Sequence, residues 1–380
     1  MTHVALPPFS CWSGPRDARL VIVGEAWGRR ENENRKPFAG ESGKELFQML
    51  GEGMPHVAPA LHAEIVALFK YDMAWLGHRD KWLNAASIAF TNTINLQPFN
   101  NDFRELCCKK ADLPRDYALP SVEQGKYLRP EFLPELDRLF DELREVGPKL
   151  VVTVGAKASW AILGDTRISQ IRGAIADSHL GFKVLPTYHP AGVLRNWSWR
   201  PIVVGDFVKA EREMHFAEIR RPSRKILWDP TIEEVEKWTA ETLALRPEYL
   251  SSDTETMKRQ ITMISFARAK SDAICIPFVD KRFPGLSYWP DVATEVRAWN
   301  CVASLLESEI KILWQNGLYD MQYILLLGIK VKSDDDTMLL HHSLLPEMPK
   351  GLGFLGAAYT DEPSWKLMRK AKQDTEKRDE

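Results

Sequence analysis

The chain has no CxxC pair: its five cysteines stand at 11, 275 and 301 and, side by side, at 107 and 108. That scatter excludes a disulfide framework and suits a reducing compartment. A long apolar run is also missing, as are a secretory leader and a lipidation motif, so the expected location is the cytoplasm, with no membrane partner. Nor is there an excess of basic charge. Lysine and arginine number 50 against 52 acids, a formal net charge of −2. No global field advertises nucleic acid, and any DNA-binding surface has to be local. What is present is a 380-residue chain, 44% hydrophobic and 27% charged. That is the make-up of a globular protein with room for two or three domains.

The stretch from Leu20 to Gly43 organises the first half. The apolar run Leu20 to Val23 reads as a buried strand. It stops at Gly24-Glu25-Ala26-Trp27-Gly28, where two glycines bracket a carboxylate. A charged loop follows, then Pro37-Phe38-Ala39-Gly40, then an amphipathic helix from about Gly43 to Leu50. Residues 51–80 are less regular, with Ala60 to Phe69 and Lys81 to Ala86 as helical candidates without assigned chemistry. Further strand-like runs are Ser87 to Phe90, Leu150 to Val154 and Lys183 to Leu185. Helical spacing covers Phe132 to Val146 and Lys157 to Leu163. Residues 95–130 form a long, proline-marked connection, and such lengths usually signal function or insertion.

Strands alternating with helices imply a parallel α/β sheet, and ligands of such sheets sit beyond the carboxyl ends of the strands. Three of the four runs end there in distinctive polar groups: Glu25, Asn92 and His189. An amide offers a donor beside an acceptor, which matches a nucleobase edge. The Phe38 ring can stack on a base. A neutral imidazole can donate to an oxygen that gains charge as a leaving group departs. A carboxylate can position water and balance a cationic sugar, as in glycoside cleavage. The set suits scission of an N-glycosidic bond in a flipped nucleotide.

These residues carry a resemblance. Gly24-Glu25-Ala26-Trp27-Gly28, Glu31-Asn32, Pro37-Phe38-Ala39-Gly40, Thr91-Asn92 and His189-Pro190-Ala191 with Leu194-Arg195 stand in the order of the uracil-DNA glycosylase superfamily. Gly155-Ala156-Lys157-Ala158, Leu163-Gly164 and Arg172-Gly173 match its middle segment. The stretch is closest to the family 4 branch and its phage relatives. The resemblance implies a glycosylase-type parallel-sheet α/β sandwich over residues 1–219. It implies that Glu25 positions the attacking water, with Glu31 as second candidate, and that His189 stabilises the departing uracil anion. Ala26, Phe38 and Asn92 would hold uracil, and Pro190, Ala191 and Arg195 would meet the DNA backbone.

The chain also departs from that branch. Family 4 enzymes hold an iron–sulfur cluster on four cysteines. Here only Cys11 lies near the start, Asn95-Leu96 occupies another ligand's place, and Cys107 and Cys108 are adjacent. No iron–sulfur cluster, and no cofactor for the glycosylase, is expected. Trp27 replaces a proline and Arg35 a glycine. The basic loop of the covalent-trapping branch is absent, so a turnover enzyme is expected.

Residues 220–230 contain Arg220-Arg221-Pro222-Ser223-Arg224-Lys225, read as a basic linker. Beyond it, Tyr249 to Thr256 reads as a strand carrying Asp253 and Glu255 on one face. Two carboxylates on one face repel unless protonated or bound to a hard cation. Ile261 to Ala267 and Ala273 to Phe278 continue a meander. Then come a helix, Glu295 to Leu306, a strand, Ile310 to Trp314, and Asn316 with Asp320. Asp334-Asp335-Asp336-Thr337-Met338 opens a last helix.

This half is similar to the proofreading 3′–5′ exonuclease domain of family A DNA polymerases, an RNase H-like α/β fold, over residues 231–380. Asp253, Glu255, Asn316 and Asp320 match its first two motifs, Asp336-Thr337-Met338, Gly351-Leu352 and Trp365-Lys366 the phage pattern. The resemblance implies Mg²⁺ or Mn²⁺ on Asp253, Glu255 and Asp320. The third motif, Tyr-x-x-x-Asp, is missing, so the fold is expected to lack its last helix and one metal ligand. The expected partners are DNA, single-stranded or uracil-containing duplex, and a DNA polymerase chain supplying the remainder. A phage-encoded chain would work in the bacterial host cytoplasm. Two functions stay open: uracil excision, or a non-catalytic module that senses uracil or grips template DNA beside a polymerase.

Overall fold

A computed structural model describes residues 4–71, 73–282 and 285–362. Trp365-Lys366 and the charged tail after it lie outside these. The chain forms two compact units, one of Met1–Arg220 with the segment from Gly353, the other of Arg221–Leu352.

The first unit is built on a sheet of β1 (Leu20–Ala26), β2 (Ile88–Ile94), β3 (Leu150–Val154), β4 (Ala176–Asp177) and β5 (Lys183–Thr187), in the order β2-β1-β3-β5-β4. All pairings are parallel except that of the short edge strand β4. Alternation explains why the central strands are apolar throughout. Leu20, Ile22, Ile88, Phe90 and Val152 point into one core, Val21, Val23, Ala89 and Val151 into the other. The first core is closed by α1 (Glu41–Gly53), α2 (Ala74–Ala86) and the later Arg200–Glu213. They supply Leu46, Phe47, Trp75, Trp82, Val203 and Phe207. The second is closed by α3 (Leu133–Val146) and α4 (Ala156–Leu163), with Leu136, Leu139, Leu143, Trp160 and Ile162.

Three differences from the sequence reading have physical causes. Where only Lys81 to Ala86 was expected to be helical, the helix starts at Ala74, and Arg79 within it is fully buried. A buried cation interrupts the apolar stripe that marks such a helix. The helices α5 (Pro190–Arg195) and α6 (Arg200–Glu213) had no expected counterpart. In α6 the buried charged residues Asp206, Lys209 and Glu213 mask the pattern. The 95–130 connection holds short turns and a two-stranded ribbon, Cys107–Lys109 against Lys126–Leu128, which tucks Phe103, Leu106, Val122 and Leu128 onto the second core. A further helix, α7 (Leu352–Tyr359), is held by Lys209, whose Nζ donates to Ala357 O at 2.8 Å and Thr360 O at 2.6 Å.

The second unit has its own mixed sheet of six strands. Tyr249–Met257, Gln260–Ala269 and Asp272–Pro277 form an antiparallel meander. Lys225–Leu227 joins one edge, Lys311–Trp314 and Asp335–Asp336 the other, all in parallel. Ile264, Phe266, Ile274, Ile312 and Trp314 pack with Trp238 and Val302 from the helices Ile232–Leu245 and Val292–Leu306.

Candidate active site

The carboxyl ends of β1, β2, β3 and β5 meet at one rim. Gly24 of β1 is paired in register with Asn92 of β2. A Cβ on Gly24 would lie 2.1 Å from Asn92 Oδ1 and 2.8 Å from the Phe38 ring, so only glycine lets amide and ring come together here. β2 is held from behind by Arg138. Its Nη2 donates to Asn92 O at 2.6 Å, and its Nη1 to Glu142 Oε2 at 2.7 Å. The Asn92 side chain is buried, and its Nδ2 has no hydrogen-bond partner among the described residues. A buried donor left empty costs about 1–3 kcal/mol, which an acceptor on a ligand recovers.

Phe38 sits in a left-handed turn, φ 52°, with its ring edge-on to Phe90 at 5.3 Å. Two buried ions fix that turn. Arg79 Nη1 donates to Pro37 O and Phe38 O, both at 2.8 Å, and Nη2 donates to Ser13 Oγ at 3.0 Å. Burial pulls the Arg79 pKa down to about 10. On the other side, Glu31 Oε1 accepts from Ala39 N at 2.9 Å and Gly40 N at 3.1 Å, while Oε2 accepts from Gly28 N at 3.1 Å. Glu31 thus ties the Phe38 turn to the glycine loop after β1.

Glu25 is less committed: Oε1 accepts from Lys157 N at 3.3 Å. Gly155, with φ 96°, brings β3 up to it. A Cβ there would fall 2.5 Å from Glu25 Oε1 and 3.0 Å from His189 Cβ. His189 caps α5, its Nδ1 accepting from Ala191 N at 3.1 Å. A ring that accepts at Nδ1 carries its proton at Nε2 when neutral. Burial pushes the imidazole below its ordinary pKa, with Glu25 pulling the other way and Arg195 adding to the depression. The strand leading to it is fixed by Asp206, which accepts from Thr187 Oγ1 at 2.6 Å and from Arg172 Nη2 at 2.6 Å.

Glu25, Ala26, Glu31, Phe38, Asn92, His189, Ala191 and Arg195 all line one cavity of about 390 Å³. Pro190 does not line it; it is buried in the first turn of α5. The sequence reading missed Trp27 as a wall, and it missed Pro98, Asn101 and Phe103 from the long connection. The unusual length of that connection was the signal available. Arg79 left no signal, because a lone arginine in an irregular stretch does not announce that two carbonyls of the Phe38 turn depend on it.

Elsewhere the acids are engaged differently. Asp320 Oδ1 accepts from Thr254 N at 2.9 Å and Thr254 Oγ1 at 2.5 Å. Asp336 accepts from the backbone N–H groups of Asn316, Gly317 and Met338. Among the described residues no group of three or more His, Cys, Asp or Glu side chains is placed to hold a metal ion. Cys11 and Cys107 are buried free thiols, pushed up to about 11 by burial. No helix of the described residues is long and apolar enough to cross a membrane.

Comparison with known proteins agrees with this geometry. The chain is 25% identical over 202 residues to the type-4 uracil-DNA glycosylase of Thermotoga maritima, spanning 52% of this chain and 79% of the relative. To that of Sulfurisphaera tokodaii it is 28% identical over 200 residues, 50% of this chain and 68% of the relative. To that of Archaeoglobus fulgidus it is 27% identical over 205 residues, 52% and 77% respectively. Residues 11–219, more than half of the chain and the whole of the cavity wall, match the uracil DNA glycosylase superfamily, and the chain belongs to that superfamily.

Proposed function

We propose that the first unit hydrolyses the N-glycosidic bond of deoxyuridine swung out of DNA. The observation that carries this is the unpartnered Asn92 Nδ2, buried beside Phe38 in a cavity that Glu25 and His189 also line. Asn92 would donate to a carbonyl of the base and accept from the neighbouring ring N–H. Cytosine reverses both groups on that edge, and an unmatched buried amide costs about 1–3 kcal/mol. Phe38 would stack on the base. As the bond between sugar and base breaks, its electron pair goes to the base. His189 Nε2–H then donates to the oxygen where that charge gathers. Glu25 faces the sugar, where it offsets cationic character and orients the water that adds to the sugar carbon. Both Glu31 oxygens are occupied by backbone donors, which supports Glu25 rather than Glu31 in this role. Ala191 and Arg195 would meet the DNA backbone.

The test is incubation with a single-uracil oligonucleotide, then alkali. Strand scission that disappears in Asn92→Ala and His189→Ala supports the enzyme. Uracil-dependent binding without scission in the unaltered protein supports a sensor instead.

For the second unit we infer a carried exonuclease-like module with little nuclease chemistry of its own. The engagement of Asp320 by Thr254 supports this. A polymerase chain that completes it, and Mg²⁺ or Mn²⁺ at Asp253 and Glu255, belong to the same proposal. Digestion of a 3′-labelled strand in Mn²⁺ tests it: rapid, Asp253-dependent digestion by the protein alone would overturn it.

A further inference from the structure

We propose that Phe99 and Trp197 are stacking platforms for the unpaired bases that flank the extruded nucleotide, so that the preferred substrate is single-stranded uracil-containing DNA. This rests on the glycosylase reading above and adds a substrate class to it.

Both rings belong to segments that form the cavity wall. Phe99 stands between Pro98 and Asn101, and Trp197 follows Arg195, and those three neighbours line the cavity. Neither ring serves the core: Phe99 is 73% exposed and Trp197 60%. An exposed aromatic next in the chain to residues that line a polar cavity offers a free face on which a base can stack. The backbone that carries Phe99 and the ring of Trp197 are also held in place. Phe99 opens a tight turn in which Asn100 and Asn101 adopt φ 51° and 56°, closed by Gln97 Nε2 donating to Asn101 Oδ1 at 2.9 Å. The Trp197 ring is backed by the Arg200 guanidinium at 5.1 Å. Arg200 is itself pinned by Glu45 at 2.8 Å and by both oxygens of Glu52, at 2.6 and 2.7 Å. The contrast with Trp199 is informative: two residues on, that ring stacks on Tyr188 at 4.4 Å and is spent on structure.

Exposed rings suit bases whose faces are free. In a duplex the flanking bases are already stacked and paired, so a protein ring must displace existing contacts. In a single strand it need not, and base–aromatic stacking is the usual source of sequence-tolerant grip.

The experiment measures uracil excision, and binding by fluorescence anisotropy, on the same labelled uracil oligonucleotide alone and as a duplex. The full chain is compared with Phe99→Ala, Trp197→Ala and Trp197→Phe. The expected result is a preference for the single strand. Each alanine variant should weaken single-strand binding and raise KM about tenfold with kcat nearly unchanged, while duplex values move less than about twofold. Trp197→Phe should restore most of the loss. The proposal is overturned if neither alanine variant alters single-strand affinity, or if single-strand and duplex values fall together. If the unaltered protein releases no uracil from either substrate, the glycosylase reading fails, and the anisotropy ratios still decide the platforms.

Discussion

His189 works uncharged in this account, and that fixes how excision responds to pH. Its folded pKa lies below the ordinary 6.5 because burial disfavours the charged ring. The neutral form therefore persists down to pH 6.5 and somewhat below it. Single-turnover excision should fall on acidification, with the midpoint of the fall below pH 6.5. A rate that climbs on acidification through 6.5 would show a protonated imidazole at work. The stability linkage has the same sign: below 6.5 the unfolded chain takes up the proton first, so His189 costs stability as pH falls. Removing the donor altogether, in His189→Ala, should slow excision about 10²–10³-fold. Gly24→Ala is a second test. Its Cβ would overlap Asn92 Oδ1 and the Phe38 ring, so base binding should be lost while circular dichroism stays native. Glu25, Asn92 and His189 were legible because polar groups closing apolar strands are conspicuous, and Phe38 because proline and glycine bracket it in Pro37-Phe38-Ala39-Gly40. The occupation of Glu31 was not, since a sequence shows an acid but not the three amides that fill its oxygens.

Among the helices, α2 shows how a site can depend on a segment with no chemistry of its own. Through Arg79 it supplies the hydrogen bonds of two carbonyls in the Phe38 turn. Arg79→Met keeps much of the volume and leaves both carbonyls buried without a donor. Urea denaturation should show a loss of about 2–5 kcal/mol. In variants that still fold, KM for the uracil strand should rise more than kcat falls, because the Phe38 turn is loosened. An unchanged KM would contradict the positioning role. The first half of this helix and α6 were hidden in the sequence for one reason. Arg79, Asp206, Lys209 and Glu213 are charged residues whose partners come from other segments, and periodicity counts them as surface. The strands β1, β2, β3 and β5 were plain because their burial on both faces demands continuous apolar runs, whereas Ala176–Asp177 and the mostly exposed Lys225–Leu227, read as linker, carry no such run.

For the molecule as a whole, two units with cores of their own mean that stability and excision can be perturbed apart. The cavity is built from residues between Glu25 and Arg195, all in the first unit. Ile264→Ala, deep in the core of the second unit, should cost about 2–5 kcal/mol there and leave excision within about twofold of normal. Loss of excision in a protein whose first unit remains folded would contradict this division. The chain divides at Arg220, within the basic run, and the docking of α7 on Lys209 left no signal, because that contact joins positions some 148 residues apart.

The central claim is that Glu25, Phe38, Asn92 and His189 together cut a base from DNA. Direct quantification of free uracil, released from a uracil oligonucleotide by the full chain and by Asn92→Ala, tests it most directly. The account predicts one uracil per abasic site from the unaltered protein, and a rate at least about tenfold lower from the folded variant. No free uracil from the unaltered protein, or equal release from both, would contradict it.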